Sequence, residues 1–337
     1  MSFINECFTI IRSSNKDVFN IKLDNTSIVF DYYKDNDFIN SNTLNIKSKV
    51  NFSNCSFNLD SNDNVYGVYR DKALKLVEVN KYNNKISSKD ILTYNHKKFN
   101  ILFPYINIVD SNIHLLYYVY NNNSTNTCAL FHHYNHNGVW IENKIDFINH
   151  ICLDDFVVLW SQNCPIVFYL KLVDGYEEVF FSRFNNSTFT WSNPVQITNS
   201  KKSKLYLSVL KDSMNFYHIT FCENENNGYY IRYMNGYLNE NKFDINTYSS
   251  IADNSAYMYP SLLKNNNSLY LMWVNHNRLF SSISNDLGKT WSDNNIDEFS
   301  IKEDFTRAKF ISNYKDDLIY NTTGVFTTYK DIGLLGF

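Results

Sequence analysis

Four prolines and nine glycines in 337 residues leave too little material for a collagen-like repeat, a proline-rich spacer or a glycine-rich phosphate cradle. No GxSxG, HExxH, P-loop or dinucleotide fingerprint occurs, so the common nucleophile-elbow, zincin and nucleotide-binding chemistries have no anchor. The six cysteines, Cys7, Cys55, Cys128, Cys152, Cys164 and Cys222, form no CxxC and no compact cluster. They read as reduced, small apolar residues. A zinc site needs clustered ligands, and the one local histidine run, His132, His133 and His136, has no cysteine or carboxylate at finger spacing. It reads as a turn-like stretch, and neither a metal nor a cofactor is expected.

Positive charge is also missing as a field. The net charge is -3 and the pI about 6.2, and the doublets Lys97-Lys98 and Lys201-Lys202 read as solvated loops, so nucleic acid is not an expected partner. No run of about eighteen apolar residues is present to span a membrane. The start, MSFINECFTIIRSSNKD, has Glu6 where a signal peptide would have a cationic region. The default expectation is a cytoplasmic protein, with unconventional export left open.

What is abundant is aromatic: 26 Tyr and 26 Phe, in a chain that is 44% apolar and 19% charged. Rings suit pleated, half-buried surfaces, so the bias leans to β-structure. Asn, Lys, Ile, Tyr and Phe are also the residues an AT-rich coding sequence enriches. Ring abundance is therefore no evidence of a ligand site.

Self-similarity is the decisive signal. Trp140, Trp191 and Trp291 each follow a polar turn and precede a short strand, at separations of 51 and 100, and Phe243 falls between the last two. Pro104 and Pro260, 156 apart, each open an extended segment that runs through an Asn/Asp/Ser turn into a more aromatic strand. Polar turns between alternating runs are hairpin signals. The pattern predicts an all-β chain, a single β-propeller domain over 1–337 with four-stranded blades near 3–50, 54–98, 102–150, 153–200, 204–252, 256–300 and 305–337. Seven blades are expected, with six as the alternative. The last unit is a strand short, and the segment Ser2–Glu6 is expected to complete it and close the ring.

The sixth unit contains Ser284, Asp286, Gly288, Thr290 and Trp291 in the order S-x-D-x-G-x-T-W, which resembles the Asp-box (BNR repeat) of the sialidase-like propeller superfamily. Its role is structural: the carboxylate accepts turn N–H groups, glycine permits a positive φ, and the indole packs between strands. A decayed copy, Asn186, Thr188, Thr190 and Trp191, stands in the fourth unit, and a third, Asn135, Gly138 and Trp140, in the third.

For activity, the resemblance implies an exo-sialidase-like glycoside hydrolase: three arginines holding a carboxylate, a tyrosine nucleophile activated by a glutamate, and an acid/base aspartate. Of six arginines, only Arg12 and Arg307 lie on first strands, and Ser13-Ser14 replaces the Ile-Pro that follows the family's opening arginine. A non-enzymatic, lectin-like carbohydrate-binding propeller is therefore the expected function. A sialidase-type hydrolase and a protein-interaction scaffold remain alternatives, so a glycan or a protein is the expected partner. Candidate ligand contacts are Arg12 and Arg307 with Tyr105 and Tyr259, which flank the two prolines. His114 and His218, on second strands among aromatics, read as packing residues.

Overall fold

The computed structural model describes residues 2–80, 84–148, 154–225, 228–239, 242–322, 324–329 and 334–335; Cys152 lies outside them. The first blade is the antiparallel meander β1 (Phe3–Arg12), β2 (Val18–Asp24), β3 (Ser27–Lys34) and β4 (Asp37–Asn45), and the second is β5 (Cys55–Leu59), β6 (Val65–Arg70), β7 (Ala73–Val79) and β8 (Ile86–Thr93). The third holds β9 (Phe99–Val109), β10 (Asn112–Asn121), β11 (Ser124–His136) and β12 (Val139–Ile148). The fourth holds β13 (Val157–Ser161), β14 (Cys164–Val173) and β15 (Tyr176–Asn185), edged by the short β16 (Thr190–Trp191) and β17 (Val195–Gln196). The fifth is β18 (Lys204–Lys211), β19 (Phe216–Glu225), β20 (Gly228–Leu238) and β21 (Phe243–Ser255). The sixth is β22 (Tyr257–Asn265), β23 (Ser268–Asn275), β24 (Arg278–Ser284) and β25 (Asn295–Ile296). After a one-turn helix, α1 (Glu298–Lys302), come β26 (Phe305–Ser312), β27 (Tyr320–Thr322), β28 (Val325–Thr328) and β29 (Leu334–Leu335).

Burial follows position within a blade. The second strand of the fifth blade, FYHITFCE, is buried at every one of its first eight residues, because both faces meet neighbouring blades. The outer strand of the first blade, DFINSNTLN, alternates and is mostly exposed. The buried side chains fall into six clusters, each formed between adjacent blades. One joins Ile21 and Phe30 to Phe57 and Val77, and the next joins Val68 and Leu76 to Ile106 and Leu115. The cluster of Phe8, Ile10, Leu263 and Met272 with Phe305 and Val325 closes the circle. Fully burying one such side chain is worth roughly 1.5–3 kcal/mol, so the ring is held by inter-blade packing as much as by hydrogen bonds within each sheet.

The fold is an all-β propeller with six blades, not the seven expected. The last unit makes no sheet of its own. β26 runs parallel to β1, with Cys7 opposite Arg307 and Arg12 opposite Ser312, giving one seven-stranded sheet in the order β29-β28-β26-β1-β2-β3-β4. The second strand expected in the last unit is diverted. Lys315–Ile319 forms a 3-10 turn, and Tyr320–Thr322 pairs with the inner edge of the sixth blade at Leu263–Asn265. The N-terminal segment does join the last unit, since Phe3 pairs with Phe305, but it does so as part of the first blade's inner strand. Among the described residues, no helix is long and apolar enough to cross a membrane.

Candidate functional site

The inner strands of the third, fifth and sixth blades carry the same defect. Three residues of β9, β18 and β22 span what two residues of the neighbouring strand span, between Leu102 and Tyr105, Leu205 and Ser208, and Met258 and Ser261. Each bulge opens on an aromatic residue in the left-handed region, Phe103 at φ 51, Tyr206 at φ 60 and Tyr259 at φ 54. A β-bulge re-aims a side chain, and a left-handed bulky residue costs about 1–2 kcal/mol. Pro104 and Pro260 are the second residues of two of these bulges, Pro104 on the edge strand β9 and Pro260 on the part of β22 that β27 does not pair, where a missing N–H is tolerated. The Phe103 ring turns into the inter-blade core. Tyr206 and Tyr259 turn to the central cavity, their rings 4.4 Å apart at 53°.

That cavity, about 810 Å³, runs along the propeller axis and is lined by Phe52, Tyr105, Asp154, Asp155, Tyr206, Tyr259, Arg307 and Lys309, among others. Arg307 is its centre. The guanidinium carbon lies 3.6 Å from the centre of the Tyr259 ring and 5.2 Å from that of Phe52, so the cation is in contact with two aromatic faces. Among the described residues, its buried Nε and Nη2 have no hydrogen-bond partner. A guanidinium edge with two parallel donors matches a carboxylate or a pair of adjacent hydroxyls, and a buried donor left unpaired costs about 1–3 kcal/mol.

The neighbouring charges are perturbed by the same setting. Desolvation pushes Asp154 up to about 6, with Arg307 opposing the shift. Asp155 is also raised by desolvation, against the pull of Lys309, whose Nζ stands 3.2 Å from its carboxylate. Burial works against the charge of Lys309, but Asp155 together with Cys7 and Cys55 outweighs it and the pKa is raised. This pair lies deep in the protein yet faces the cavity, with side chains 39% and 34% exposed, so its Coulombic energy is screened. Tyr105 accepts a hydrogen bond from Trp160 Nε1 at 2.8 Å and is pushed up to about 12 by burial. Tyr206 is raised by burial and by the adjacent Tyr259.

No protein-family model matches the chain, and no curated protein matches it in sequence. Solved structures do. A polysaccharide lyase, an ulvan lyase bound to -[GlcA(1-4)Rha3S]-, superposes with a TM-score of 0.65 at 11% identity over 98% of this chain and 92% of its own. The polysaccharide lyase Uly1 gives 0.54 at 8% identity over 85% and 80%. AofleA from Arthrobotrys oligospora gives 0.50 at 10% identity over 88% and 87%. The likeness is one of fold.

Of the four ligand contacts expected from sequence, Arg307, Tyr105 and Tyr259 line this cavity and Arg12 does not. Arg12 ends its strand on the opposite side, where it pairs with Asp317 at 3.2 Å and covers the Tyr314 ring at 4.5 Å. The other arginines are committed elsewhere: Arg70 to the Ile101 carbonyl, Arg278 to the Ser300 carbonyl, and Arg232 to Glu223 and Glu225, while Arg183 covers the Phe181 ring. No three-arginine clamp is assembled. Asp154, Asp155, Lys309, Phe52 and Tyr206 were not anticipated. Tyr206 had a signal, since Tyr206-Leu207-Ser208 repeats Tyr259-Pro260-Ser261 at 53 residues. The aspartates precede a first strand, outside the periodic pattern.

The turn from Ser284 to Trp291 is built as its residue types suggest. Asp286 accepts from the Lys289 and Thr290 N–H groups and the Thr290 hydroxyl, at 3.0, 2.9 and 2.7 Å, and Ser284 Oγ accepts from the Gly288 N–H at 2.8 Å. These bonds hold the Asp286 carboxyl low, at about 2. In the fourth-blade copy the turn is capped by Asn185, which accepts from the Ser187 N–H, and not by Asn186. Trp291 packs on Tyr233 and Trp191 on His132, each a residue of the preceding blade, so both indoles wedge blades together. The histidine run is no turn: His132 and His133 are buried on β11. His114 and His218 are buried on β10 and β19. Among the described residues, no group of three His, Cys, Asp or Glu side chains is placed to hold a metal.

Proposed function

We propose that this propeller is a carbohydrate-binding, lectin-like protein whose site is the cavity mouth at Tyr206, Tyr259 and Arg307. The observation that carries the reading is the unpaired Nε and Nη2 edge of Arg307, in contact with Tyr259 and Phe52. Rings present apolar faces to sugar C–H groups, and the guanidinium edge offers two donors to adjacent hydroxyls or a sugar carboxylate. The bulge strain at Tyr206 and Tyr259 is backbone energy of the kind that functional sites hold. Two structural neighbours, polysaccharide lyases of 11% and 8% identity, one of them bound to an acidic saccharide, support a carbohydrate ligand. The Ser284–Trp291 turn supports a place beside the sialidase-like Asp-box propellers.

Glycan-array screening followed by titration calorimetry tests the reading. Tyr259→Ala and Arg307→Gln should each weaken the best array ligand at least about tenfold, roughly 1.4 kcal/mol, without unfolding the protein. Affinity unchanged in both variants would refute the site. A sialidase-type hydrolase is favoured by one observation, the elevated Asp154 beside Arg307. A fluorogenic sialoside assay decides it, since turnover abolished by Asp154→Asn would replace binding with catalysis. If no glycan binds and no sialoside turns over, the protein-scaffold reading takes its place.

A further inference from the structure

Among the described residues, one end of the cavity is crossed by a stretch of chain. Inner strands run from the rim at Tyr206, Tyr259 and Arg307 to an opposite end, where β1, β5, β18 and β26 finish at Arg12, Leu59, Lys211 and Ser312. A strap, residues 313–322, crosses that end. The Asn313 side-chain amide donates to the Asp60 carbonyl and to Asp63 Oδ1, both at 2.8 Å, at the first turn of the second blade. Asp317 receives Arg12 from the first blade and accepts from Ser312 Oγ at 2.6 Å. β27 then pairs with the sixth blade, the Asn321 side chain donates to the Lys211 carbonyl of the fifth, and Thr322 Oγ1 donates to the Leu262 carbonyl at 3.0 Å. The strap is thus tied to blades on opposite sides of the ring, and Asn313, Thr322 and Gly324 form part of the cavity wall.

We infer that the cavity receives the terminus of a glycan chain, end-on, and excludes internal segments. This rests on the carbohydrate reading above and narrows its ligand class. An internal segment of a polymer must enter a site and leave it again, which requires an open groove or a channel with two openings. The strap lies across the far end, joining the second blade to the fifth and sixth. The cavity volume, about 810 Å³, lies in the range of roughly 300–1,000 Å³ that suits one small ligand. Binding energy then concentrates on the sugar that passes the tyrosines, and a further residue added beyond it meets the strap.

The test is an array that carries each oligosaccharide in two forms, with its terminal sugar free and with that sugar extended by one residue, beside the linear and cyclic glucan pair maltoheptaose and β-cyclodextrin. Every glycan that binds should lose at least about tenfold on extension, and the cyclic glucan should not bind. Binding that extension leaves unchanged, or binding of the cyclic glucan, overturns end-on recognition while leaving the carbohydrate reading intact. Binding of no glycan at all overturns both. A strap variant, Asn313→Ala with Asn321→Ala, gives a second readout: the tenfold discrimination should narrow to about twofold as the strap loosens. Unaltered discrimination in a variant whose Tm has fallen would show that the strap does not set it. If the variant fails to fold, the wild-type comparison decides alone.

Discussion

Gly288→Ala tests whether the Ser284–Trp291 turn is an inter-blade lock. Gly288 sits at φ +85, and a Cβ built on it would lie 2.0 Å from the Tyr233 hydroxyl and 2.4 Å from the ring carbon that bears it. Tyr233 cannot give way easily. It is fully buried, its hydroxyl is hydrogen-bonded to His218 Nδ1 at 2.7 Å and to Asn235 Nδ2 at 2.9 Å, and the same Asn235 amide donates to the Leu287 carbonyl at 2.8 Å. Alanine in the left-handed region costs about 1–2 kcal/mol, and forcing a packed ring aside adds about 1–3 kcal/mol. Gly138 is the internal reference, because it has the same φ, +85, and nothing within 4 Å of its Cβ position. Gly138→Ala should incur only the backbone term. With about 2.1 cal/mol/K of unfolding entropy per residue over 337 residues, Gly288→Ala should lower Tm by about 3–7 °C and Gly138→Ala by about 1–3 °C. Near-ultraviolet circular dichroism during thermal unfolding measures both. Equal shifts for the two alanines would show that Tyr233 yields freely and that the turn does not lock the blades.

Arg12→Ala should lower stability by about 1 kcal/mol, through the Asp317 ion pair and the Tyr314 face, and leave the affinity for any array ligand unchanged; a tenfold loss of affinity would return Arg12 to the site. Lys204 is fully buried against Glu178 at 2.7 Å and Glu223 at 3.5 Å, so Lys204→Met should cost about 3–5 kcal/mol by stranding the carboxylates. Adding Glu178→Gln should recover part of that, and a double variant as unstable as the single one would count against the pair. Burial depresses His114 to about 4 and His132 well below the ordinary value. Trp191 Nε1 donates to His132 Nδ1 at 3.0 Å, so the His132 proton is on Nε2, aimed at His114 Nδ1 at 3.1 Å. A folded pKa below the unfolded value of about 6.5 means the unfolded chain takes up more protons, so stability is full above about pH 6.5 and falls as pH drops toward 4. Denaturant titrations across that window should show a shallower slope for His114→Gln, and an unchanged slope would remove the pair as the cause.

The propeller was legible because its signals are local and repeated. Trp140, Trp191 and Trp291 mark one point of the third, fourth and sixth meanders and Pro104 and Pro260 another, at the first strands of the third and sixth. The prolines sit at bulges, and the turn glycines Gly138 and Gly288 take positive φ. The site was legible only in part. Tyr105 and Tyr259 were reached through their prolines, whereas Tyr206 carries the same bulge with Leu207 in the proline's place, so the marker used to find the others was missing. Arg12 and Arg307 looked alike because both lie on inner strands, and they sit opposite Ser312 and Cys7 in one parallel pair. Which end of a strand a residue occupies relative to the cavity mouth depends on how blades are ordered around the axis, and that is a long-range property.

The missing blade and the strap across the far end of the cavity have a single cause. The final unit holds apolar runs at strand spacing, AKFISN, DLIYNTT and VFTTYK, and local patterning assigns them to one meander. Tertiary pairing divides them differently. AKFISN gains a parallel partner in β1 and joins the two ends of the chain beside the axis. VFTT stacks outside it. The middle run, left without a place between them, passes beneath the cavity, where Asp317 meets Arg12 and Tyr320–Thr322 covers the otherwise open inner edge of β22. An uncovered inner edge would leave a row of backbone groups unpaired, and the strap satisfies several of them at Leu263–Asn265. Ring closure by a parallel inner pair thus releases the segment that crosses the far end of the cavity. A six-bladed ring with an overlapping end therefore places chain across the inner-strand ends, where seven separate four-stranded blades would free no segment to lie.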